Sequence, residues 1–549
     1  MRTMRGLYML LLLAAALSRA GALRAPALRS TARRTRRRKA ALCAASSFAA
    51  GLPVAPLLPE VVASLAEQPN LVLEAPPGAG KTTAVPLALL EAGGAWRGDD
   101  LIIVLEPRRV AAKAAASRMA SLLGEPCGQR VGYTVRHEAQ RGRATRVLVM
   151  TEGVLVRMLQ ADPALAGVGC VVFDEFHERS VDADLCLALC REAQRVLRPE
   201  LRLLVMSATL GDELAPAVAA LLGECRTLTA EGRSHAVDVR YVGSRPLGLA
   251  ASGHPREVEA EVAAAVCAAL RDGPGDVLAF LPGEREIRGV EALLEEALPA
   301  KQRAHLAIRT LYGALPFEQQ QAAISAEPDG RRRVVLSTTL AESSLTIEGV
   351  RAVVDAGLRR ASVYDSAVGM AALVTRPVSA AAAAQRAGRA GRLAPGTAYR
   401  LWSEPEQARL APQQPPEIAT SDLAPLVLQL AKWGGDVADA QIAALPWVTP
   451  PPQAGLARAR DLLGALGALA ASDGAAAGSV PTRITPFGER LSALPTHPRL
   501  AHALLTSGDE GPSAVASAVV ATLEVRSPPA SRGPHRGTQP DLAPAQPPW

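Results

Sequence analysis

A glycine-rich stretch near the start of the chain constrains the fold more than any other feature. It reads APPGAGKTT over residues 75–83, follows the apolar run Leu71–Glu74 and precedes the helical segment Ala84–Leu90. Glycines let backbone N–H groups curl around an anion, and the start of a helix adds a positive dipole. The chain has five lysines against 55 arginines, and Lys81 places one of them where a compact cation meets phosphate. The stretch predicts a phosphate-binding loop between a parallel strand and a helix.

The residues of this loop have predicted roles toward ATP. Lys81 would reach the β- and γ-phosphates, and Thr82 would bind Mg²⁺. Ala75 stands where the general pattern has a glycine, and a glycine turn without a ligand is the alternative interpretation. The predicted nucleotide contacts are Gly78, Ala79, Gly80, Lys81, Thr82 and Thr83.

Strand-like runs and helical stretches alternate over two parts of the chain. Continuous apolar runs separated by helices are typical of a parallel sheet that is covered on both faces. The pattern predicts two α/β units joined by a hinge at 231–255, and after about residue 415 it predicts helices only. The runs are Leu71–Glu74, Leu101–Leu105, Val147–Met150, Cys170–Phe173 and Leu203–Met206, then Val277–Leu281, Ala307–Leu311, Val334–Leu336 and Ala352–Val354.

A pair of acids follows one of these predicted strands. Asp174 and Glu175 come directly after the apolar run Val171–Phe173. One carboxylate of such a pair can bind Mg²⁺ while its neighbour polarises the attacking water. Paired acids at a strand end are also common as solvated turn residues, but the phosphate loop earlier in the chain favours a catalytic site. The pair is therefore predicted to supply one ligand to Mg²⁺ and one group that polarises water.

Three arginines at a spacing of three stand among small residues in QRAGRAGR, residues 385–392. Small neighbours leave guanidinium groups free to approach phosphate, and arginine suits this contact through its planar fork and fixed charge. A solvated basic helix face is the alternative. The segment predicts a second group of phosphate contacts, far from the first in sequence.

Taken in order, these motifs resemble those of superfamily 2 helicases of the DEAH/RHA class, and of the bacterial HrpB-type helicases in particular. The resemblance covers roughly residues 52–505. It implies two RecA-like domains, ATP·Mg²⁺ bound in the cleft between them, and RNA as the partner. The other motifs that carry it are EPRRVAA at 106–112, TEG at 151–153, DEFH at 174–177, SAT at 207–209, LAFLPGEREI at 278–287 and STTLAESSLTIEGV at 337–350.

The resemblance also implies roles that the residue patterns alone do not define. Asp174 would bind Mg²⁺, and Glu175 would activate the attacking water. Gln385, Arg389 and Arg392 would reach the γ-phosphate from the second domain, so hydrolysis would need the two domains to close. Arg118 would stack on the adenine. Leu358 takes the place where the family has an aromatic residue, which leaves the selectivity for the base open.

The same resemblance implies how nucleotide and nucleic acid communicate. His177, Ser207 and Thr209 would couple the nucleotide site to the surface that moves the strand. The segment Val363–Pro377 matches the place of a strand-separating hairpin. Contacts to a sugar–phosphate backbone carry no sequence information, so we expect little sequence preference. The implied RNA contacts are Arg108, Arg109, Thr151 and Thr339.

Beyond residue 415 the resemblance continues and then fades. SDLAPLVLQLAKWGG at 421–435 resembles a winged-helix domain, and ITPFGERLSALPTHPRLAHALL at 484–505 resembles the start of a helical ratchet domain. Family members continue for a few hundred residues, so we expect the ratchet region to be truncated. The predicted organisation is 1–22 signal peptide, 23–50 transit-like basic segment, 51–232 first RecA-like domain, 233–415 second RecA-like domain, 416–483 winged-helix-like region, 484–525 ratchet-like region and 526–549 disordered tail.

The net charge of +7 belongs to the N-terminal segment. Eleven of the 60 basic residues precede the first acid, Glu60, which leaves 49 basic and 53 acidic residues in the rest of the chain. The apolar run Leu7–Leu17 is too short to cross a bilayer and suits a signal peptide, and residues 23–50 resemble a transit peptide. Together they predict import into a plastid, without stable membrane association after processing. The secretory pathway, the cytoplasm, a basic RNA-binding arm and a nuclear signal are the alternatives.

The cysteines indicate a reducing compartment. Seven cysteines in 549 residues are too few for a disulfide scaffold. Cys186 and Cys190 lie one helical turn apart and are predicted to be buried thiols, not metal ligands.

The predicted function is ATP-dependent translocation on RNA and unwinding of RNA. Two other classes of protein stay open: an RNA-binding scaffold that uses the nucleotide as a switch, and an ATPase that remodels a protein. A helicase acting on DNA also stays open, because contacts to the 2′-hydroxyl depend on position and not on residue type.

Overall fold

The computed structural model describes residues 48–524 with short gaps. The predicted signal peptide, almost all of the transit-like segment, the tail from residue 525, Thr209 and much of the predicted hinge lie outside the described residues. The gaps are 94–99, 209, 231–234, 244–245, 248–254, 343–346, 366–368, 435, 472–479, 481 and 509–512.

Two parallel sheets form the centre of the protein, as predicted. The first has eight strands in the order β4-β3-β5-β2-β6-β7-β1-β8, and only β4 runs antiparallel to its neighbour. Its strands are β1 Asn70–Glu74, β2 Leu101–Glu106, β3 Val131–Val135, β4 Glu138–Gln140, β5 Val147–Thr151, β6 Val168–Phe173, β7 Arg202–Ser207 and β8 Arg226–Thr229.

The second sheet has six parallel strands in the order β11-β12-β10-β13-β16-β9. A long antiparallel hairpin, β14–β15, and a short antiparallel pair, β17–β18, complete the strands of the described residues. These strands are β9 Val237–Tyr241, β10 Asp276–Phe280, β11 Leu306–Leu311, β12 Arg332–Ser337, β13 Val350–Asp355, β14 Leu358–Asp365, β15 Met370–Pro377, β16 Gly396–Arg400, β17 Leu469–Ala470 and β18 Arg483–Ile484.

Helices cover both faces of the sheets and make up most of the C-terminal part. The first domain contains α1 Leu58–Glu67, α2 Lys81–Ala92, α3 Arg109–Leu122, α4 Glu152–Ala161, α5 Val181–Val196 and α6 Gly211–Leu221. The second contains α7 Pro255–Asp272, α8 Glu284–Ala297, α9 Ala300–Arg303, α10 Phe317–Ile324, α11 Ala380–Gly388 and α12 Glu404–Arg409. The C-terminal helices are α13 Ala424–Gly434, α14 Asp439–Ala444, α15 Gln453–Ala465, α16 Pro486–Ala493, α17 Pro498–Thr506 and α18 Ala514–Glu524.

Side chains along the central strands point alternately to the two faces of the sheet, and helices cover both faces, so these strands are continuously apolar. In β2, Ile103 and Leu105 pack into the core layer that also contains α5 and the C-terminal helices. Ile102 and Val104 pack into the opposite layer, against the helix that follows the phosphate loop. Because side chains of a strand point alternately to the two faces, a strand with helices on both sides is apolar at every position.

Two predictions about strands were wrong. The predicted hinge at 231–255 contains β9, which pairs with β16 in the second sheet, so part of this segment belongs to that domain. Strands also do not stop at residue 415, since Leu469 pairs with Ile484 across β17 and β18. Both were missed because β9 is a polar edge strand and the C-terminal pair is only two residues long, so neither has the apolar run that was sought.

Two further observations concern burial. Cys186 and Cys190 are fully buried in the core on α5, which confirms the prediction of buried thiols. Among the described residues, no helix combines the length and the apolar character needed to cross a membrane.

Candidate nucleotide site and nucleic-acid face

The glycine-rich loop lies between β1 and α2, as predicted. Gly78 and Gly80 have φ angles of +82° and +88°, in the left-handed region that favours glycine. A Cβ atom on Gly80 would come within 2.6 Å of the Leu52 side chain, so a larger residue would disturb the loop. Ala75 is fully buried and its N–H donates to the Ser207 carbonyl, which shows that this position extends the strand and tolerates alanine.

The loop brings Lys81 and Thr82 to the acids at the end of β6. The Lys81 ammonium lies 3.1 Å from Glu175 Oε1, and both side chains are almost fully buried. Thr82 Oγ1 donates to Asp174 Oδ2 at 2.5 Å. Four residues predicted from two distant motifs therefore share one site.

The backbone after β6 places the two acids differently. Asp174 N–H donates to the Leu105 carbonyl, so this residue continues the sheet. Glu175 has a φ of +49°, which is unusual for a residue with a side chain, and its N–H donates to Asp174 Oδ1 at 2.8 Å. Strained backbone of this kind is concentrated at functional sites.

Burial and neighbouring charges set the protonation of this group. Burial raises the pKa of Asp174 to about 6, while Lys81 opposes the rise. Burial also acts to raise the pKa of Glu175, but the charge and hydrogen bond of Lys81, together with the nearby His177 and Arg389, outweigh it and the pKa falls below its ordinary value. Lys81 has a raised pKa because Glu175 and Asp174 outweigh the effect of burial. At neutral pH the site therefore holds a charged Lys81 and an ionised Glu175 that can accept a proton.

His177 connects Glu175 to the predicted coupling motif. Its Nδ1 lies 3.2 Å from Ser207 Oγ and 3.5 Å from Glu175 Oε2. Burial lowers the pKa of His177, so the ring is neutral near pH 7 and the longer contact is not an ion pair. The ring thus hydrogen-bonds Ser207 at the end of β7, as its predicted coupling role requires, whereas Thr209 lies outside the described residues.

The three arginines of the second motif do not share one role in the structure. Helix α11 begins after Ser379, whose hydroxyl accepts the Ala382 N–H. Arg386 lies on this helix with its guanidinium fully buried, bound to Glu342 at 3.0 Å and to Asp355 at 2.8 Å. It therefore belongs to the interior of the second domain and is not available to phosphate.

Arg389 and Arg392 follow the end of that helix and face the first domain. Burial lowers the pKa of Arg392 to about 10, and the charge of Glu175 opposes the shift. Burial also lowers the pKa of Arg389, again against the charge of Glu175. The Arg392 side chain lies 3.6 Å from the position of a Cβ on Gly78, directly against the phosphate loop. Gln385 is buried on α11, one residue before Arg386.

The predicted RNA contacts of the first domain lie at or just after the ends of β2 and β5, at the edge of the sheet where β6 leads into Asp174. Arg108 donates to the carbonyl of Thr339 in the second domain at 3.0 Å and pairs with Glu178 at 3.3 Å. Arg109 is exposed and begins α3, and Thr151 is half-buried at the end of β5. Arg108 and Thr339, which were predicted from separate motifs, thus meet directly between the domains.

The residues present suit ATP·Mg²⁺. Mg²⁺ prefers oxygen ligands and is usually bound by one or two side chains plus phosphates. Thr82 and Asp174 supply such oxygens beside the phosphate loop. Among the described residues, no group of three or more His, Cys, Asp or Glu side chains is placed to hold a metal ion by itself.

Comparisons with known proteins agree with this geometry. Residues 59–216 match the DEAD/DEAH box helicase family, and residues 261–394 match the helicase conserved C-terminal domain. The chain is 42% identical over 473 residues to the ATP-dependent RNA helicase HrpB of Escherichia coli (86% of this chain, 54% of that protein). It is 32% identical over 522 residues to the pre-mRNA-splicing factor ATP-dependent RNA helicase DEAH10 of Arabidopsis thaliana (87% of this chain, 69% of that protein). The chain belongs to the DEAH/RHA helicase family.

A solved structure confirms the fold of this DEAH/RHA family member. The crystal structure of Escherichia coli DEAH/RHA helicase HrpB matches it with a TM-score of 0.76 and 41% identity, covering 87% of this chain and 57% of that chain. The two parallel sheets are therefore the predicted pair of RecA-like domains. The chain spans about half the length of HrpB.

Leu358 differs from what its place in the DEAH/RHA family implied. It begins β14, is almost fully buried, and packs with Leu247 and Trp402 in the core of the second sheet. A residue in this position offers no surface to a nucleobase. Arg118 is exposed on α3, and its contact with the adenine stays a prediction.

The hairpin of this DEAH/RHA protein is longer than predicted from the sequence. The predicted segment Val363–Pro377 contains the end of the first strand and the whole of the second, whereas the first strand starts at Leu358. Gly369 has a φ of +69° at the turn, and the Tyr364 N–H donates to the Thr420 carbonyl in the connection to the C-terminal helices. The hairpin is thus held between the second domain and the C-terminal region.

Three further residues of this DEAH/RHA site were not singled out from the sequence. Glu178 and Glu342 bind Arg108 and Arg386, and Glu106 ends β2 beside Asp174. Burial, together with the charges of Asp174 and Glu175, raises the pKa of Glu106 well above its ordinary value. The signal in the sequence was the same as for Asp174, namely an acid at the end of an apolar run, here LIIVLE.

Proposed function

We propose that this protein is an ATP-dependent RNA helicase, in which hydrolysis of ATP between the two RecA-like domains drives movement along RNA and separation of duplexes. The observation that carries the proposal is the approach of Arg392 in the second domain to Gly78 of the phosphate loop in the first. Hydrolysis at such a site depends on the distance between the two domains. Domain movement and hydrolysis are then coupled, and a motor requires this coupling. The names of the relatives support RNA as the substrate.

The chain's own residues account for the chemistry of hydrolysis. The loop N–H groups and Lys81 bind the phosphates, and Mg²⁺, when bound, would neutralise negative charge on the phosphate oxygens. Glu175 has a lowered pKa and orients the attacking water as its base. Arg389 and Arg392 stabilise the charge that develops on the transferred phosphoryl group, which requires the two domains to be closed.

A chain of contacts supports the link between hydrolysis and movement. Glu175 lies beside His177, and His177 binds Ser207. Glu178, one residue after His177, pairs with Arg108, which also holds the Thr339 carbonyl of the second domain. The short turn Phe176–Glu178 therefore connects Glu175 to the contact between Arg108 and Thr339, the two predicted RNA-binding residues.

The first test measures ATP hydrolysis with and without single-stranded RNA, and with DNA of the same sequence at the same salt. We expect RNA to stimulate turnover. Glu175→Gln should reduce turnover by about 10²–10⁴-fold while nucleotide still binds, since the base is lost and the loop is intact. Glu192→Gln, on the surface of α5, is the matched control. Hydrolysis that RNA does not affect would contradict the proposal.

Displacement of a labelled strand from a tailed RNA duplex separates the motor from the alternatives. A helicase releases the strand in the presence of ATP. Hydrolysis without release would favour a nucleotide-dependent RNA scaffold, and stimulation by DNA alone would favour a DNA helicase.

We also propose that residues 1–50 direct import into a plastid. The support is the basic, acid-free composition behind a short apolar run. Fusing these residues to a fluorescent reporter tests this in an algal cell with a secondary plastid. A cytosolic or nuclear signal would contradict the proposal.

A further inference from the structure

Glu106 is a buried carboxylate for which the chemistry described above has no use. It is about 1% exposed, and among the described residues neither of its carboxylate oxygens has a hydrogen-bond partner. A buried polar group without a partner is costly, and such groups are rare in folded proteins. Its position therefore requires an explanation.

The strand geometry places Glu106 next to the nucleotide site. Leu105 and Phe173 are paired on the neighbouring parallel strands β2 and β6, and the next residues are Glu106 and Asp174. Adjacent strands lie about 4.8 Å apart, so these two acids are neighbours. Leu105 packs in one core layer and Val104 in the other, against the helix after the phosphate loop. By alternation Glu106 points to the same side as Val104, toward the phosphate loop.

A comparison with Glu74 shows that a position at the end of a strand does not by itself leave an acid without a partner. Glu74 ends β1 as Glu106 ends β2, but it follows Leu73 and lies on the opposite face of the sheet. There its Oε1 accepts the Leu210 N–H at 3.0 Å. The acid on the outer face is satisfied by the protein, and the acid on the nucleotide face is not.

We propose that Glu106 is a positioning residue for magnesium, which accepts hydrogen bonds from water molecules in the outer coordination sphere of the ion bound with the nucleotide. Mg²⁺ keeps several of its waters in proteins, and these waters are donors that suit an unpartnered carboxylate. Glu106 also lies close enough to Lys81, the one cation of the loop, to act on it together with Glu175 and Asp174. The inference rests on the proposed function, because it assumes that ATP·Mg²⁺ binds here.

The test is the binding of a fluorescent ADP analogue at increasing magnesium concentration, without RNA and without turnover. Residues of an outer coordination sphere typically change metal affinity by about 10–100-fold when they are replaced. We expect Glu106→Gln to weaken magnesium binding in the ADP complex by that factor, with little change in the affinity for ADP without metal. Glu74→Gln is the matched control and should leave the magnesium affinity unchanged. Manganese, followed by electron paramagnetic resonance, gives a direct second readout.

The outcomes separate the inference from the proposed function. Wild-type protein that binds ADP without any effect of magnesium would overturn both. Magnesium-dependent binding in the wild type with the same magnesium affinity in Glu106→Gln would overturn only the role of Glu106, and a change in melting temperature alone would indicate a structural role. If Glu106→Gln does not fold, Glu106→Asp retracts the carboxylate by one methylene and decides the question by the same titration.

Discussion

The two RecA-like domains share a parallel-sheet plan but treat buried charge differently. In the first domain, Glu106 and Asp174 at the ends of β2 and β6 lie on the nucleotide face, and Glu106 has no hydrogen-bond partner among the described residues. In the second domain two buried acids are paired with arginines, Asp276 with Arg333 and Asp355 with Arg386. The first arrangement leaves an unpartnered carboxyl group beside the predicted metal ligand, whereas the second fixes the helix that precedes Arg389 and Arg392.

The largest effect is expected for the arginines that cross the cleft. Arg389→Ala and Arg392→Ala should each lower ATP turnover by about 10³–10⁵-fold, because they remove charge that stabilises the transition state. Steady-state hydrolysis with saturating RNA measures this, and thermal melting checks that the fold is intact. A loss of less than tenfold in both variants would mean that the second domain does not take part in the chemistry.

Arg386, which lies inside the second domain, should affect the stability of the fold, whereas Arg389 and Arg392 affect turnover. Arg386→Ala leaves Glu342 and Asp355 without their shared cation, which should lower the free energy of unfolding by about 3–5 kcal/mol. Denaturant unfolding measures this. Arg409→Ala, which removes an exposed pair with Glu406, is the control and should change stability by at most about 1 kcal/mol. Equal stability of Arg386→Ala and Arg409→Ala would contradict a structural role for Arg386 that differs from the roles of Arg389 and Arg392.

A buried acid of the first domain should make stability depend on pH. Burial raises the pKa of Glu152 to about 8 from an ordinary value of 4.5, against a hydrogen bond from Ser180, while Asp182 and Glu417 add negative charge nearby. The folded state then keeps a proton that the unfolded state releases, so stability falls as pH rises from about 5 to about 8.

Glu152→Gln should flatten this slope by an amount on the order of a few kcal/mol over that range, because the amide does not titrate. Unfolding by urea at several pH values measures the slope for wild type and variant. Parallel curves for the two proteins would show that Glu152 is not the group responsible. Glu192→Gln on the surface of α5 should reproduce the wild-type slope.

The smallest effect is expected at the contact between the domains. Arg108→Ala should weaken binding of single-stranded RNA by about tenfold, since a hydrogen bond to a charged group contributes about 1.5 kcal/mol or more. The dependence of log affinity on log salt should become less steep by about 0.7, the value for one phosphate contact on a single strand. Arg130→Ala, whose side chain pairs with Glu91 and Glu125 on the surface, should leave both quantities unchanged.

Prediction from the sequence succeeded where the chemistry is local. The phosphate loop and the acids at 174–175 follow strands whose apolar character is visible in the sequence, and strand, turn and helix fix their geometry over a few residues. The overall order of motifs also identified the family. Polar edge strands such as β9 were missed because their pattern resembles that of a loop.

Prediction from the sequence failed where the role of a residue depends on the direction and burial of its side chain. A spacing of three among arginines does not show that Arg386 points into its own domain while Arg392 lies against Gly78. It also does not show that Leu358 is buried beneath the surface that its family position suggested. These outcomes depend on which helix end each residue occupies and on neighbours that are distant in the chain.

The sequence by itself determined the two sheet domains, the family, and the motifs that are predicted to bind ATP, because these depend on periodicity and on motifs a few residues long. The tertiary structure decided which charges are satisfied. It bound Arg386 to Glu342 and Asp355, joined Arg108 to the Thr339 carbonyl, and left Glu106 without a partner beside Asp174. The physical reason is that the free energy of a buried charge depends on the groups within a few ångströms of it, and the fold collects those groups from distant parts of the chain.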